Sequence, residues 1–418
     1  MGRANAECMT VSAQGRLDYF KTFLIGLGFF GVSIIWSVYN SYVPIFLQEM
    51  GLAAWATGAV MTLDNVMGVT IQPYVGFLSD RTRTKIGRRM PFIIAGAPVA
   101  ALLFALAPVA VSGGLLILLA LLFVFNVAMA LYRTPVVSLM PDVTPKKFLS
   151  PANGIINFMG GIGAILAFFA GGYAYNNLGR ASPFWLAAGV LLGSTILLFL
   201  AVKEPKPEDG GAPASDFVDS LRSMFSEIKR LFFESKDRSG AAMLLAIFFW
   251  FVGYNTIETF FTSYGKWYLG TSEGSASFTL GYLALAFVLF SIPSGYLAMR
   301  FNRKRVIMLG LLGGMIFLAI PLATKSLPVI SAAVAILGVF WACININSLP
   351  IVAELAPSGQ TGGYVGLYYL FSTTAAIAAP PVAGLLVDLT GTYLTIFPFA
   401  MVAFGIAAAF VSIVRTGI

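Results

Sequence analysis

Apolar runs long enough to cross a lipid bilayer alternate with short polar breaks along the whole chain. They lie near 20–47, 54–79, 91–111, 114–140, 152–175 and 182–202, and again near 240–266, 276–299, 305–324, 328–352, 362–387 and 392–414. A helix needs about 20 apolar residues to span the hydrocarbon core. The pattern therefore predicts an all-α membrane protein of twelve transmembrane helices, six on each side of one hydrophilic segment. The expected division is an N-terminal bundle over 1–202, a linker over 203–239 and a C-terminal bundle over 240–418.

The linker reads in two parts. Residues 203–215 are rich in Pro and Gly and are expected to form a flexible tether. Residues 216–234 place Phe217, Leu221, Phe225 and Ile228 at helical spacing, with Leu231 and Phe232 one turn on. Such an amphipathic helix lies at the membrane interface or packs under the bundle.

The two halves echo each other. Tyr39-Asn40 in the first span recurs as Tyr254-Asn255 in the seventh. Pro135, Asp142 and Pro145 recur as Pro350, Glu354 and Pro357. An offset of 212 positions carries Gly154, Gly172 and Gly179 onto Gly366, Gly384 and Gly391. Paired six-span halves are the sequence trace of an alternating-access carrier with its site between the halves.

Composition narrows the class. The chain is 58% hydrophobic and 11% charged, whereas soluble chains carry about 25% charged residues. Its net charge of +8 would suggest nucleic acid in a soluble protein. Here the charge belongs to the loops. With the N-terminus inside, 22 of the 26 basic residues fall in cytoplasmic segments; Arg180, Lys266 and Lys325 lie outside and Arg133 within a span. Basic residues stay on the cytoplasmic side, so both termini are expected in the cytoplasm and nucleic acid is excluded as a partner. The polar N-terminal stretch is too long for a secretory signal, so the first apolar run should remain as a helix. The chain has no histidine, which excludes a Ser-His-Asp triad and His-based metal sites. Cys8 and Cys343 imply no disulfide framework.

The richest stretch is the loop between the second and third spans, Gln72–Met90, with Arg81, Arg83, Lys85, Arg88 and Arg89 in close succession. Its pattern of Gly76, Asp80, Arg81, Gly87, Arg88 and Arg89 resembles the signature loop of the major facilitator superfamily. The spelling SDRTRTKIGRRMPFI is similar to the glycoside–cation symporters, and within them to the sucrose/maltose–proton symporter branch. ALYRTPVVSLMPDVTP followed by ANGIINFMGGIGAIL resembles bacterial-type members of that branch. The resemblance implies two six-helix bundles and cation-coupled sugar transport. Sodium-coupled melibiose-type relatives carry two aspartates on the second span where this chain has Gly68 and Gln72, which implies a proton as the coupling ion.

Three ionisable residues lie well inside predicted spans: Asp64, Arg133 and Glu258. Each costs about 2.5–3.5 kcal/mol at mid-membrane on insertion scales, so each is expected to face the bundle interior or a wet cavity. Asp64 shares a face with Gly68 and Gln72. Burial favours the neutral acid and a nearby guanidinium favours the carboxylate, so a movable Arg133 would switch Asp64 between its two forms. A purely structural Arg133–Asp64 clamp is the alternative. Glu258 follows Tyr254 and Asn255 on one face, as a second proton site or an acceptor for sugar hydroxyls.

A sugar needs amides or carboxylates for its hydroxyls and aromatic faces for its C–H surfaces. Candidates are Trp36, Tyr39 and Asn40 with Ser33 in the first span, Gln72 in the second and Asn157 in the fifth. The second half adds Tyr254, Asn255 and Glu258, then Trp341 and Asn345 with Asn347, then Tyr368 beside Tyr369. Packing and interface anchoring are the competing roles for the aromatic members.

The signature loop reads as a gate rather than a binding site. Gly76 allows close helix approach, and Asp80 is placed to accept bonds from Arg81 or Arg89. By pseudo-symmetry, Asp142 is expected to pair with Arg81 or Arg83, and Glu354 with Arg300 or Arg303. The second-half copy of the loop has Met299 where the acid stands. Gly160, Gly161 and Gly163 read as helix-packing positions.

The expected function is proton-coupled symport of a disaccharide or related glycoside by a monomer in the plasma (inner) membrane, with sugar, proton and lipid as partners and no cofactor. Alternatives are a carrier or exporter of another small or amphipathic molecule, or a sodium-coupled glycoside symporter. From a different class comes a non-transporting membrane sensor, which typically carries a long soluble extension, whereas the tails here are short. No nucleophile–base or metal-ligand set points to an enzyme.

Overall fold

The computed structural model describes residues 17–145, 148–204, 226–234, 237–356 and 361–415. Cys8, the tether over 205–215, Phe217, Leu221, Phe225 and Pro357 lie outside the described residues.

Thirteen α-helices are described. The first seven are α1 (Tyr19–Glu49), α2 (Ala54–Met61), α3 (Leu63–Arg81), α4 (Met90–Ala110), α5 (Leu115–Val143), α6 (Leu149–Leu178) and α7 (Ser182–Ala201). After the linker come α8 (Ser239–Trp267), α9 (Glu273–Phe301), α10 (Arg303–Ala323), α11 (Leu327–Leu355), α12 (Thr361–Thr390) and α13 (Ile396–Ile413). Among the described residues, eleven helices are long and apolar enough to cross a membrane. The twelfth span is the pair α2–α3, so this is a multi-pass membrane protein.

That pair corrects the sequence reading, which made 54–79 one helix. The chain breaks at Thr62, whose backbone N–H and hydroxyl both bond back to the Ala59 carbonyl. A hydroxyl competing for a nearby carbonyl tightens the turn locally. Asp64 then sits in the first turn of a new helix rather than in mid-helix.

The described chain forms two compact units. Of the described residues, unit 1 comprises those within 17–52, 63–204 and Ser272–Gly281, and unit 2 those within Ala53–Thr62, 226–271 and 282–415. In unit 1, α1 packs on α6 and α7, α4 on α5 and α7, and α3 on α5. Its core is aromatic: Phe104 stacks on Phe125 at 5.1 Å and meets Phe184 at 4.9 Å. Helix α6 passes α1 closely at Gly163, where a Cβ would stand 2.7 Å from the Phe30 carbonyl oxygen, which bears out the helix-packing reading of that glycine. In unit 2, α8 packs on α12 and α13, α10 on α11 and α13, and α2 on α12.

The sequence repeat is also a backbone repeat. Gly179 and Gly391, related by the 212 offset, both have positive φ, 101° and 70°. The loop glycine Gly87 (φ 114°) has its counterpart in Asn302 (φ 74°), a left-handed residue of the kind that tolerates this region.

The end of the linker is ordered against unit 2. A π turn, Arg230–Glu234, buries Leu231 beside Gly240, and Phe232 stacks on Phe371 at 6.0 Å.

Candidate functional site

In unit 1, α1, α3 and α5 bring the predicted intramembrane groups into one neighbourhood. Asp64 on α3 and Arg133 on α5 act on each other electrostatically without closing into a direct ion pair. Asp64 also acts on the Tyr39 hydroxyl. The Asn65 amide donates to Asp64 at 2.7 Å, so the carboxylate keeps a neutral partner while Arg133 stands off. Gln72, two turns along α3, is half-buried and carries its amide near Gly68.

The α1 candidates differ in burial. Tyr39 is fully buried and stacks on Phe125 at 5.7 Å, in the aromatic core. Trp36 and Asn40, on the same stretch of α1, are half-buried. Trp36 meets Tyr39 edge-on at 5.4 Å, and its indole N–H has no hydrogen-bond partner. Asn157 is exposed on α6 and donates to the Asn153 carbonyl at 2.8 Å.

The sequence reading missed Asn126. It is buried on α5 and donates to the Tyr39 hydroxyl at 3.4 Å, while its side-chain oxygen is unpaired. The signal was a lone amide inside the apolar run of residues 115–132.

In unit 2 the predicted aromatics meet. Tyr254 on α8 stacks on Trp341 of α11, with centroids 4.2 Å apart and planes 7° from parallel. Phe251 meets Trp341 edge-on at 5.6 Å and Tyr368 of α12 at 6.3 Å. The Tyr368 hydroxyl bonds Ser348 at 3.1 Å, and the Asn345 carbonyl accepts from the same serine at 2.6 Å. Asn255 donates to the Phe251 carbonyl at 2.7 Å, and Glu258 acts on Tyr254. Asn347 instead ties α11 to α9 through Ser294 at 3.0 Å. Aromatic faces with amides and a carboxylate beside them suit a ligand that is apolar on one side and rich in hydroxyls on the other.

The signature loop of unit 1 closes around Arg89, whose side chain is 6% exposed. Its guanidinium bonds Asp142 at 2.9 Å and Asp80 at 2.5 Å, and reaches the Ser79 hydroxyl and the Gly76 carbonyl. Arg88 bonds Asp142 at 2.6 Å. This corrects the expected pairing of Asp142 with Arg81 or Arg83. Arg81 ends α3 and lies over Phe77 of its own helix at 3.8 Å, and Arg83 bonds the Asp80 carbonyl. Arg88 and Arg89 stand at the start of α4, which packs on the helix carrying Asp142.

Glu204 is the second residue the sequence reading missed. Its side chain is 1% exposed, and it accepts the backbone N–H groups of Arg89, at 3.1 and 2.9 Å, and of Met90, at 3.3 Å. Helix α4 has no side-chain cap of its own. A carboxylate at a helix N-terminus satisfies orphan N–H groups and complements the dipole. The signal was an acid followed by Pro205 directly after the sixth span. In unit 2 the expected Glu354 ion pair forms with Arg303, while Arg300 lies over Phe301.

The sequence profile of the Major Facilitator Superfamily matches residues 25–268 and 266–416. The chain belongs to that superfamily. This member is 40% identical to the sucrose transport protein SUC4 of Arabidopsis thaliana over 68 residues, 16% of the chain and 13% of that relative. It is 26% identical to the general alpha-glucoside permease of Schizosaccharomyces pombe over 249 residues, 53% of the chain and 44% of the relative. The chain thus spans less than half the length of these relatives. In fold, this superfamily member is similar to the crystal structure of the nucleoside transporter NupG. The TM-score is 0.72 at 14% identity, covering 95% of this chain and 99% of the other.

Proposed function

We propose that the protein is a secondary active transporter that carries a sugar, a disaccharide or related glycoside, together with a proton by alternating access. The observation that carries this reading is its likeness to a sucrose transport protein and to an alpha-glucoside permease, within a superfamily it belongs to. The coupling site is Asp64, opposed by Arg133, with Glu258 as a second acidic group. A proton and the Arg133 guanidinium compete for the Asp64 carboxylate, and the absence of acids at Gly68 and Gln72 argues against a sodium site. The sugar is held by Trp36, Tyr39, Asn40, Gln72 and Asn157 from the first half and by Tyr254, Asn255, Glu258, Trp341, Asn345 and Tyr368 from the second. Gly76, Asp80, Arg81, Arg89, Asp142, Arg303 and Glu354 gate the cycle.

In this reading the carrier is a monomer of the plasma (inner) membrane, built of bundles over 1–202 and 240–418 joined by the linker, with both termini in the cytoplasm. The test is uptake of radiolabelled sucrose and maltose into proteoliposomes with an imposed pH gradient. Accumulation collapses with an uncoupler, and Asp64→Asn abolishes accumulation while sparing exchange down a sugar gradient. Intact pH-driven uptake in Asp64→Asn defeats the coupling assignment. Failure of every glycoside tried defeats the substrate.

A further inference from the structure

Helix α2 is held at its N-terminus by a residue far away in the chain. Its N-cap position is Ala53, which supplies no side-chain acceptor. The missing cap comes from Asp388 on α12. One carboxylate oxygen accepts the Ala54 N–H at 2.9 Å, and the other accepts the Trp55 N–H at 2.8 Å. The two backbones are nearly in contact along the same face. A Cβ on Gly384 would stand 2.2 Å from the Ala54 carbonyl oxygen, and one on Gly58 would stand 2.3 Å from the Pro380 carbonyl oxygen.

The placement of α2 is peculiar. Its chain neighbours α1 and α3 belong to unit 1, yet α2 is packed in unit 2 and runs into α3 through the turn at Thr62. The position equivalent to Asp388 at the 212 offset is Asn176, against the start of α9, so the counterpart contact in unit 1 involves a neutral amide. The charged cap belongs to α2 alone of this pair. Asp388 and Trp55 are exposed while Ala54 is buried, so water competes for the Trp55 bond directly and for the Ala54 bond once α2 moves, and loss of a helix cap shifts an equilibrium by about tenfold.

We propose that Asp388 is a positioning residue for the transport cycle: it holds α2 on α12 in the state described and releases it when the carrier changes state. The proposal rests on the reading of the chain as an alternating-access carrier, and its test needs no substrate. The purified protein in detergent, with Cys8 replaced and Thr57→Cys introduced, is alkylated with a water-soluble maleimide. Thr57 is fully buried on α2, and the native Cys343, also buried, is the internal control. Asp388→Ala should speed labelling at position 57 about tenfold, and Asp388→Asn less, since an amide oxygen still caps. Cys343 should stay unlabelled. Equal rates in all three proteins, or Cys343 labelling in step with position 57, overturn the proposal. Ala53→Asp tests it with Asp388 intact: a local cap removes the dependence of α2 on α12 and should speed labelling several-fold, whereas no change counts against it. Because no sugar is used, this result is independent of whether the proposed substrate is right.

Discussion

The two basic loops that precede α4 and α10 come from one repeat and have diverged in chemistry. The first concentrates Arg88, Arg89, Asp80, Asp142 and Glu204 into one network with a nearly enclosed guanidinium at its centre. The second keeps the left-handed turn at Asn302 and one ion pair, Arg303–Glu354, whose members are 34% and 54% exposed. There Lys304 bonds the Ser412 and Val414 carbonyls, and Asn302 caps its own helix at Lys304. A buried guanidinium must satisfy its donors to be tolerated at all, whereas an exposed pair is largely solvated. The comparison shows that the repeat preserved backbone geometry and topology while the burial of charge was built on one side only.

The sharpest way to break this contrast is Arg89→Ala against Arg303→Ala. Arg89→Ala leaves the buried Ser79 hydroxyl and one oxygen of Asp142 without their guanidinium partner, although Arg88 still holds Asp142, and should cost about 3–5 kcal/mol. Arg303→Ala should cost under about 1 kcal/mol. Thermal unfolding of the two purified variants measures both, and equal losses would erase the distinction.

A smaller effect separates the helix caps. Glu204→Gln keeps an acceptor and removes the charge, for a loss of about 1 kcal/mol. Gly87→Asn makes the first loop imitate the second at the left-handed position. It should be the worse of the two, because a Cβ on Gly87 would stand 2.2 Å from a Glu204 carboxylate oxygen. If Gly87→Asn is as mild as its Asn302 counterpart suggests, Glu204 is not the element that separates the loops.

The smallest effect is expected at the exposed pair. Glu354→Arg and Arg303→Glu should each lower stability slightly, and the double exchange should restore it, with a coupling of about 0.2–1 kcal/mol. Additive losses without rescue would mean the contact contributes nothing.

Much of the architecture could be read before any coordinates. Span length and apolarity are local properties, so twelve spans and two halves followed from the runs. The repeat was visible in spelling, and it paired Glu354 with Arg300 or Arg303, of which the structure takes Arg303. The errors arose where several equivalent partners lay close in sequence. Five basic residues crowd the first loop, and nothing local says that Asp142 meets Arg88 and Arg89 rather than Arg81. Asn126 and Glu204 were passed over because each looks ordinary until its neighbours are known.

The sequence alone determined that this chain crosses the membrane repeatedly, that its halves are related, and which polar groups lie within the spans. These depend on transfer of whole segments into lipid, a sum over many residues that is insensitive to detail. The tertiary structure alone decided that Glu204 caps α4 and that Asp388 caps α2 from 333 positions away along the chain. Such contacts depend on the rotation and height of packed helices to within a fraction of an ångström, because a hydrogen bond is lost beyond about 3.5 Å. No pattern along one helix contains the position of another.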